Sequence, residues 1–307
     1  MKIVITGGAG FIGSNLADAF LAAGHDVAVI DNLSSGHREQ VPAGARFYEA
    51  DIRGEEAARV IAEEKPDVLC HHAAQMNVRF SVENPVYDAD VNVLGMVRML
   101  EAARGAGTGL VLFSSSGGTV YGEVDVWPTP EGQATVPLCP YGVSKLTGEH
   151  YLEYYRSVHG MRYVALRYAN VYGPRQDPHG EAGAVAIFSK LLLKGETGKI
   201  YGDGLQTRDY VFVGDVVRAN LAAIATPAAC GPINIGTGRE TSVVELYDRI
   251  RRLVGSDIVA RHVEAKDGEV RRNALYPARA QMVLGWKPTV TLDEGLAATV
   301  DFFRSRP

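Results

Sequence analysis

KIVITGGAGFIG, Lys2 to Gly13, runs directly into SNLADAFLAAG, Ser14 to Gly24, and the join between them decides how the chain begins. Lys2–Thr6 is a β-branched apolar run, suited to a strand buried on both faces. The apolar positions after Gly13 recur at helical spacing until Gly24. The order is therefore strand, glycine loop, helix. In such a turn Gly7 permits the tight bend, Gly10 lets the backbone approach a pyrophosphate, and Gly13 lets helix and strand pack closely. The helix start, at Phe11 and Ile12, offers free N–H groups and a positive dipole end to an anion.

The next apolar run, DVAVID, ends in Asp31, 18 residues beyond Gly13 and beside Asn32. A carboxylate at that spacing accepts hydrogen bonds from the hydroxyls of an adenosine ribose and repels a 2′-phosphate, so the inferred cofactor is NAD rather than NADP. Downstream, ARFYEADI, DVLCHHAA, VLFSSS and YVALRYANVYG alternate with helical segments. That alternation predicts an α/β fold with a Rossmann-type doubly wound parallel sheet. Asp51 and Ile52 at one strand end are placed to meet the adenine. Ala73 and Ala74, followed by Gln75 at the next strand end, allow the cofactor a close approach.

With 307 residues the chain can bury a large core. Its net charge of −5 and the absence of a Lys/Arg-rich block argue against an electrostatic grip on nucleic acid. Cys70, Cys139 and Cys230 are odd in number and far apart, which speaks against a disulfide framework or a zinc site and for a reducing cytoplasm. The glycine-broken start does not read as a signal segment, and no run of 18 apolar residues predicts a membrane span.

PYGVSK (Pro140–Lys145) sets a tyrosine four residues before a lysine, so Tyr141 and Lys145 share a helix face. Alone, such a pair is an ordinary surface feature. Here it follows an NAD site and a strand-end serine, Ser116, which lies 25 residues before Tyr141. Ligands of open α/β sheets bind at the carboxyl ends of strands. A lysine beside the phenol, together with an oxidised nicotinamide, would lower the tyrosine's pKa and make Tyr141 a general base, with Ser116 bonding the substrate hydroxyl.

GGAGFIG, Asp31, SSSGGTVYG and PYGVSK in this order, strengthened by RYANVYGPR and TRDYVFVGDV, resemble the extended short-chain dehydrogenase/reductase family over nearly the whole chain. The resemblance is closest on the branch that epimerises UDP-hexoses at C4. It implies a tightly held NAD, hydride removal from C4 of the sugar, rotation of the 4-keto intermediate, and hydride return to the opposite face. It further implies that Lys145 binds the nicotinamide ribose and that Asn92 and Tyr168 line the cofactor pocket. Asn170 and Arg208 would contact the diphosphate of a UDP-sugar, and Ala184, Val185 and Tyr201 would lie near the uracil and its ribose. A homodimer paired through helices, including the one bearing Tyr141, is implied as well.

Three departures from the family pattern matter. Gly117 and Gly118 stand where dehydratases of the family carry acids, which favours epimerisation over water elimination. The glycine pair lengthens the loop by one residue, leaving Ser115 as an alternative to Ser116. KDGE (Lys266–Glu269) replaces a pattern with a diphosphate-binding arginine, so that role falls to Lys266 or, by preference, Arg271. Where some relatives carry a tyrosine that excludes a 2-acetamido group, an ungapped count gives Asn273, so acetamido sugars are expected to fit.

The expected organisation is an NAD-binding domain over residues 1–165 and a smaller α/β substrate domain over 166–307, with a segment near 207–226 returning to the first. PINIGTG reads as strand and turn, SVVELYDRIRRLVG as an amphipathic helix, and TLDEGLAATVDFFRSR as a final helix capped by Thr291. Two other readings stay open. One is a UDP-glucuronate 4-epimerase or another sugar-nucleotide oxidoreductase of the same fold. The other is a non-catalytic dinucleotide sensor, against which stands the presence of Ser116, Tyr141 and Lys145 together.

Overall fold

A computed structural model describes residues 1–178, 183–265 and 270–306. Six of its strands are β1 (Lys2–Thr6), β2 (Asp26–Asp31), β3 (Arg46–Glu49), β4 (Val68–His71), β5 (Leu110–Ser116) and β6 (Arg162–Tyr168). They form one parallel sheet in the order β6-β5-β4-β1-β2-β3, and the later strand Gly231–Ile235 adds beyond β6 as the seventh. The apolar runs seen in the sequence are these strands, buried on both faces except at the part-exposed edge strand β3. Ile3, Ile5, Val29 and Leu112 belong to one core cluster, whereas Val4, Ala28, Ile30 and Val111 belong to another. Strand order reverses beside β1, which is where an open α/β sheet forms its ligand crevice.

A third apolar cluster gathers Tyr172, Val185, Phe188, Ile200, Tyr247, Leu296 and Val300, all from the C-terminal half. The chain nonetheless returns to the large sheet. Helix Val213–Ala225 packs against helix Phe11–Ala22, and Gly231–Ile235 pairs with β6 from Val164 to Tyr168. Trp286, far along the sequence, joins the first core cluster. The return thus extends beyond the segment 207–226 read from sequence, because Pro232, Ile233 and Ile235 are needed to cover the β6 edge.

Local signals explain the helices that frame the cleft. Pro140 opens helix Pro140–His159 at a position whose N–H would have no helical partner, and Gly160 ends it at φ +70°. Thr291 caps the last helix, Leu292–Arg304, in a reciprocal pairing with Glu294, as the sequence predicts. Among the described residues no helix is long and apolar enough to cross a membrane.

Candidate active site

At the glycine turn the backbone leaves no room for side chains. A Cβ on Gly7, whose φ is +73°, would lie 2.6 Å from the Ala73 nitrogen, and one on Gly13 would lie 2.2 Å from the Gly7 carbonyl oxygen. Helix Phe11–Ala22 starts from Gly10 with no side-chain cap, so the first N–H groups face outward for an anion. Asp31 is buried at the end of β2. One carboxylate oxygen accepts from the Ala9 N–H at 2.9 Å and the other from the Leu33 N–H at 2.8 Å. Each oxygen keeps a second lone pair, so Asp31 can still receive ribose hydroxyls. The cradle fits an adenine dinucleotide.

Other expected cofactor residues are engaged within the protein. Asn32 donates to Asp51 at 2.9 Å, and Arg53 bonds both Asp51 oxygens, holding that carboxyl well below its usual range. Ile52 is buried against the Gly95 backbone. Ala74 lies partly buried next to Ala73, which itself packs against Gly7. The Gln75 backbone N–H donates to Asn92 Oδ1, the Asn92 amide donates to the Gln75 carbonyl, and both side-chain amides donate to Asp88. Their amides tie the segment after β4 to Asp88. The Tyr168 hydroxyl accepts from Asn220 at 2.9 Å and lies 3.1 Å from His72 Nε2. Burial and Lys145 push His72 down to about 3, so this imidazole is neutral.

The structure separates the two candidate serines. Ser115 is buried and donates to Glu149 at 2.5 Å on one side of β5. Side chains alternate along a strand, so Ser116 takes the opposite side. A Cβ built on Gly118 would lie 3.8 Å from Ser116 Oγ and 3.9 Å from Asn170 Oδ1, which brings those two groups to one loop. Asn273, nearly buried, reaches the same loop by donating to the Gly117 carbonyl at 3.3 Å. Its Oδ1 is buried without a protein partner.

Tyr141 and Lys145 share a face of helix Pro140–His159. The Lys145 ammonium sits 5.6 Å from the centre of the Tyr141 ring and donates to the Ser114 carbonyl at 2.8 Å, which ties it to the end of β5. Among the protein's own groups, burial, then Asp88, pushes the Tyr141 phenol up. Burial also pushes Lys145 down to about 8, with Asp88 opposing that loss. The lysine's pull alone therefore does not ready the phenol; the missing contribution is the positive charge expected from an oxidised nicotinamide.

On the other lobe, Val185 is buried in the third cluster and Ala184 packs against it, so Val185 faces core. Tyr201 is partly buried, with the Arg79 guanidinium 5.8 Å from its ring centre. Arg208 donates to the carbonyls of Thr207 and Val270, each at 2.8 Å. Arg271 is the residue preferred above for the diphosphate. It forms a bidentate pair with Asp203 at 2.9 and 2.8 Å and is 59% exposed, so its guanidinium is held at the surface by the acid of a neighbouring turn. Lys266 lies outside the described residues, as does His179, whereas Gln176 is buried.

Sequence reasoning missed Asp88 and Ser144. Asp88 is buried against the Tyr141–Lys145 turn, to which Ser144 belongs, and nothing in NPVYDADVN marks that one acid as internal.

Comparison with known proteins agrees with this geometry. The model of the NAD dependent epimerase/dehydratase family matches residues 3–236. A UDP-glucose 4-epimerase from Mycolicibacterium smegmatis is 48% identical over 312 residues, covering 100% of this chain and 99% of the relative. The crystal structure of a Thermotoga maritima UDP-glucose 4-epimerase with UDP-glucose is 46% identical and superposes with a TM-score of 0.97 over 99% of both chains. The Thermus thermophilus UDP-glucose 4-epimerase in complex with NAD is 42% identical, with a TM-score of 0.96 over 100% of both.

Proposed function

This chain belongs to the NAD dependent epimerase/dehydratase family, and from that premise we propose that it is an NAD-dependent isomerase inverting C4 of UDP-hexoses, UDP-glucose and UDP-galactose first. The observation that carries the reading is the meeting of the Tyr141–Lys145 helix with the Ser114–Ser116 strand end through the Lys145–Ser114 bond. Gly7, Gly10, Phe11, Ile12, Gly13 and Asp31 hold NAD, which when bound supplies the hydride acceptor and donor for C4.

The chain's own residues manage the proton and the sugar. Tyr141 takes the proton of the 4-hydroxyl and gives it back on the other face. Ser116 bonds the same oxygen while it is a hydroxyl and while it is a carbonyl, steadying both. Lys145 keeps a positive charge beside the phenol and is anchored by the Ser114 carbonyl. Asn170 and Arg208 hold the diphosphate, where a planar fork suits phosphate oxygens. Gly117 and Gly118 place no proton donor beside Ser116, so water is not eliminated.

The finer reading is a cytoplasmic homodimer. Three free cysteines support the compartment. Val143, Tyr151, Tyr154 and Val158 form an exposed stripe along helix Pro140–His159, near exposed Val86 and Leu94, which suits pairing with a second copy. Light scattering gives the mass, and a monomer discards the dimer. The test of function is product analysis after incubating the purified protein with UDP-glucose and UDP-galactose, with Tyr141→Phe as comparison. Tyr141→Phe is expected to lose about 10²–10⁴-fold in turnover while keeping bound NAD. Full turnover in that variant removes Tyr141 from its role, and no interconversion by the wild type removes the activity.

A further inference from the structure

Behind the Tyr141–Lys145 turn lies a carboxylate that the reaction above does not use. Asp88, on the short helix Pro85–Ala89, is fully buried. Its Oδ2 accepts from the Ser144 hydroxyl at 2.6 Å, and its Oδ1 accepts from the side-chain amides of Gln75 and Asn92, each at 2.9 Å. The donors come from three places: the catalytic helix, the segment after β4, and the helical turn Asp90–Gly95. All are donors and none is a cation, which is the set an ionised carboxylate asks for. A buried charge without a directly bonded counter-ion is costly, so its placement calls for a cause.

Ser144 sits between Tyr141 and Lys145, and the Tyr141 N–H donates to Ser81 on the adjoining helix Val78–Glu83. Asp88 and Ser81 together hold the first turn of the catalytic helix. The titratable groups that feel Asp88 are Tyr141, Lys145 and the capping Cys139; it disfavours ionisation of the phenol and thiol and favours the ammonium. Gln75, Asn92 and Ser81 bring no charge.

Resting on the epimerase reading, we propose that Asp88 is a positioning residue of the reaction: through Ser144 it fixes the turn bearing Tyr141 and Lys145, and its negative charge balances the buried ammonium. It holds the lysine cationic at neutral pH and delays the phenolate, so that the base forms in response to the positive cofactor and not before it.

Asp88→Asn separates charge from shape. The amide oxygen still accepts from Gln75 and Asn92, and the new N–H₂ donates to Ser144. With the negative charge gone, phenol and ammonium both release protons more readily, so both titrations are expected to move to lower pH by about one unit. Ultraviolet difference titration of the phenolate, each background minus its Tyr141→Phe counterpart, reads the tyrosine directly. The two limbs of the pH profile of turnover move together in the same direction. A titration that stays in place overturns the proposal whatever the substrate. A wild type inert on UDP-hexoses overturns the epimerase reading and leaves the titration result standing. Should Asp88→Asn not fold, Ser144→Ala tests the positioning: kcat is expected to fall about tenfold with KM and NAD content kept, and an unchanged kcat overturns it.

Discussion

Arg167→Met strands a carboxylate buried between the sheet and helix Pro140–His159, and its cost can be worked from the contacts. Arg167 is 4% exposed; Nε and Nη2 donate to Glu149 at 2.9 and 2.6 Å, and Nη1 donates to the Tyr121 hydroxyl at 2.8 Å. Methionine replaces much of the arginine stem, so lost packing is the smaller part. Glu149, itself 6% exposed, would keep the Ser115 hydroxyl and lose a bidentate cation. Breaking a buried pair from one side costs about 3–5 kcal/mol. Removing Glu149 as well, as Met, abolishes the stranded charge. Tyr121 still donates to Asn234 at 2.8 Å, and Ser115 alone is left without its acceptor, at about 1–3 kcal/mol. The double variant is therefore expected to be roughly 2 kcal/mol more stable than the single. Urea unfolding of all three proteins at one saturating NAD concentration measures this, because bound ligand adds its own stabilisation. A double variant no more stable than Arg167→Met refutes the reasoning, since the loss would then lie in the arginine's own contacts.

Burial sets Lys145 at about 8. The ammonium is present below that pH and lost above it, so kcat/KM is expected to fall as pH rises through this value; a profile flat to about one unit higher contradicts it. Gly117→Ala puts a Cβ 2.4 Å from fully buried Leu275, whereas at Gly118 the nearest atom is 3.8 Å away. Thermal unfolding is expected to show about 1–3 kcal/mol lost for the first, with the second close to wild type; equal losses contradict the packing argument. UDP-N-acetylglucosamine is expected to be turned over, and Asn273→Tyr to lower its kcat/KM at least about tenfold relative to UDP-glucose. A wild type inert on the acetamido sugar refutes the size reading.

What could be read from sequence was what depends on neighbours along the chain. β1, its glycine turn and Asp31 are local devices with fixed spacing, and so are the Thr291 cap and the Tyr141–Lys145 face. What could not be read depends on side chains meeting across the fold. Ser115 and Ser116 look alike until Glu149 claims one of them. Gln75 and Asn92 give no sign in sequence that their amides meet at the buried Asp88. Arg271 gives no sign in sequence of its pairing with Asp203. Nor does the sequence show how far burial and Asp88 oppose ionisation of the Tyr141 phenol.

The seventh strand, Gly231–Ile235, sets a schedule for synthesis. Until it emerges from the ribosome, the β6 edge holding Arg167 and Tyr168 has no neighbour on that flank, and an open apolar edge invites association with other chains. A fragment ending near residue 165 would carry the dinucleotide turn yet leave its sheet unfinished.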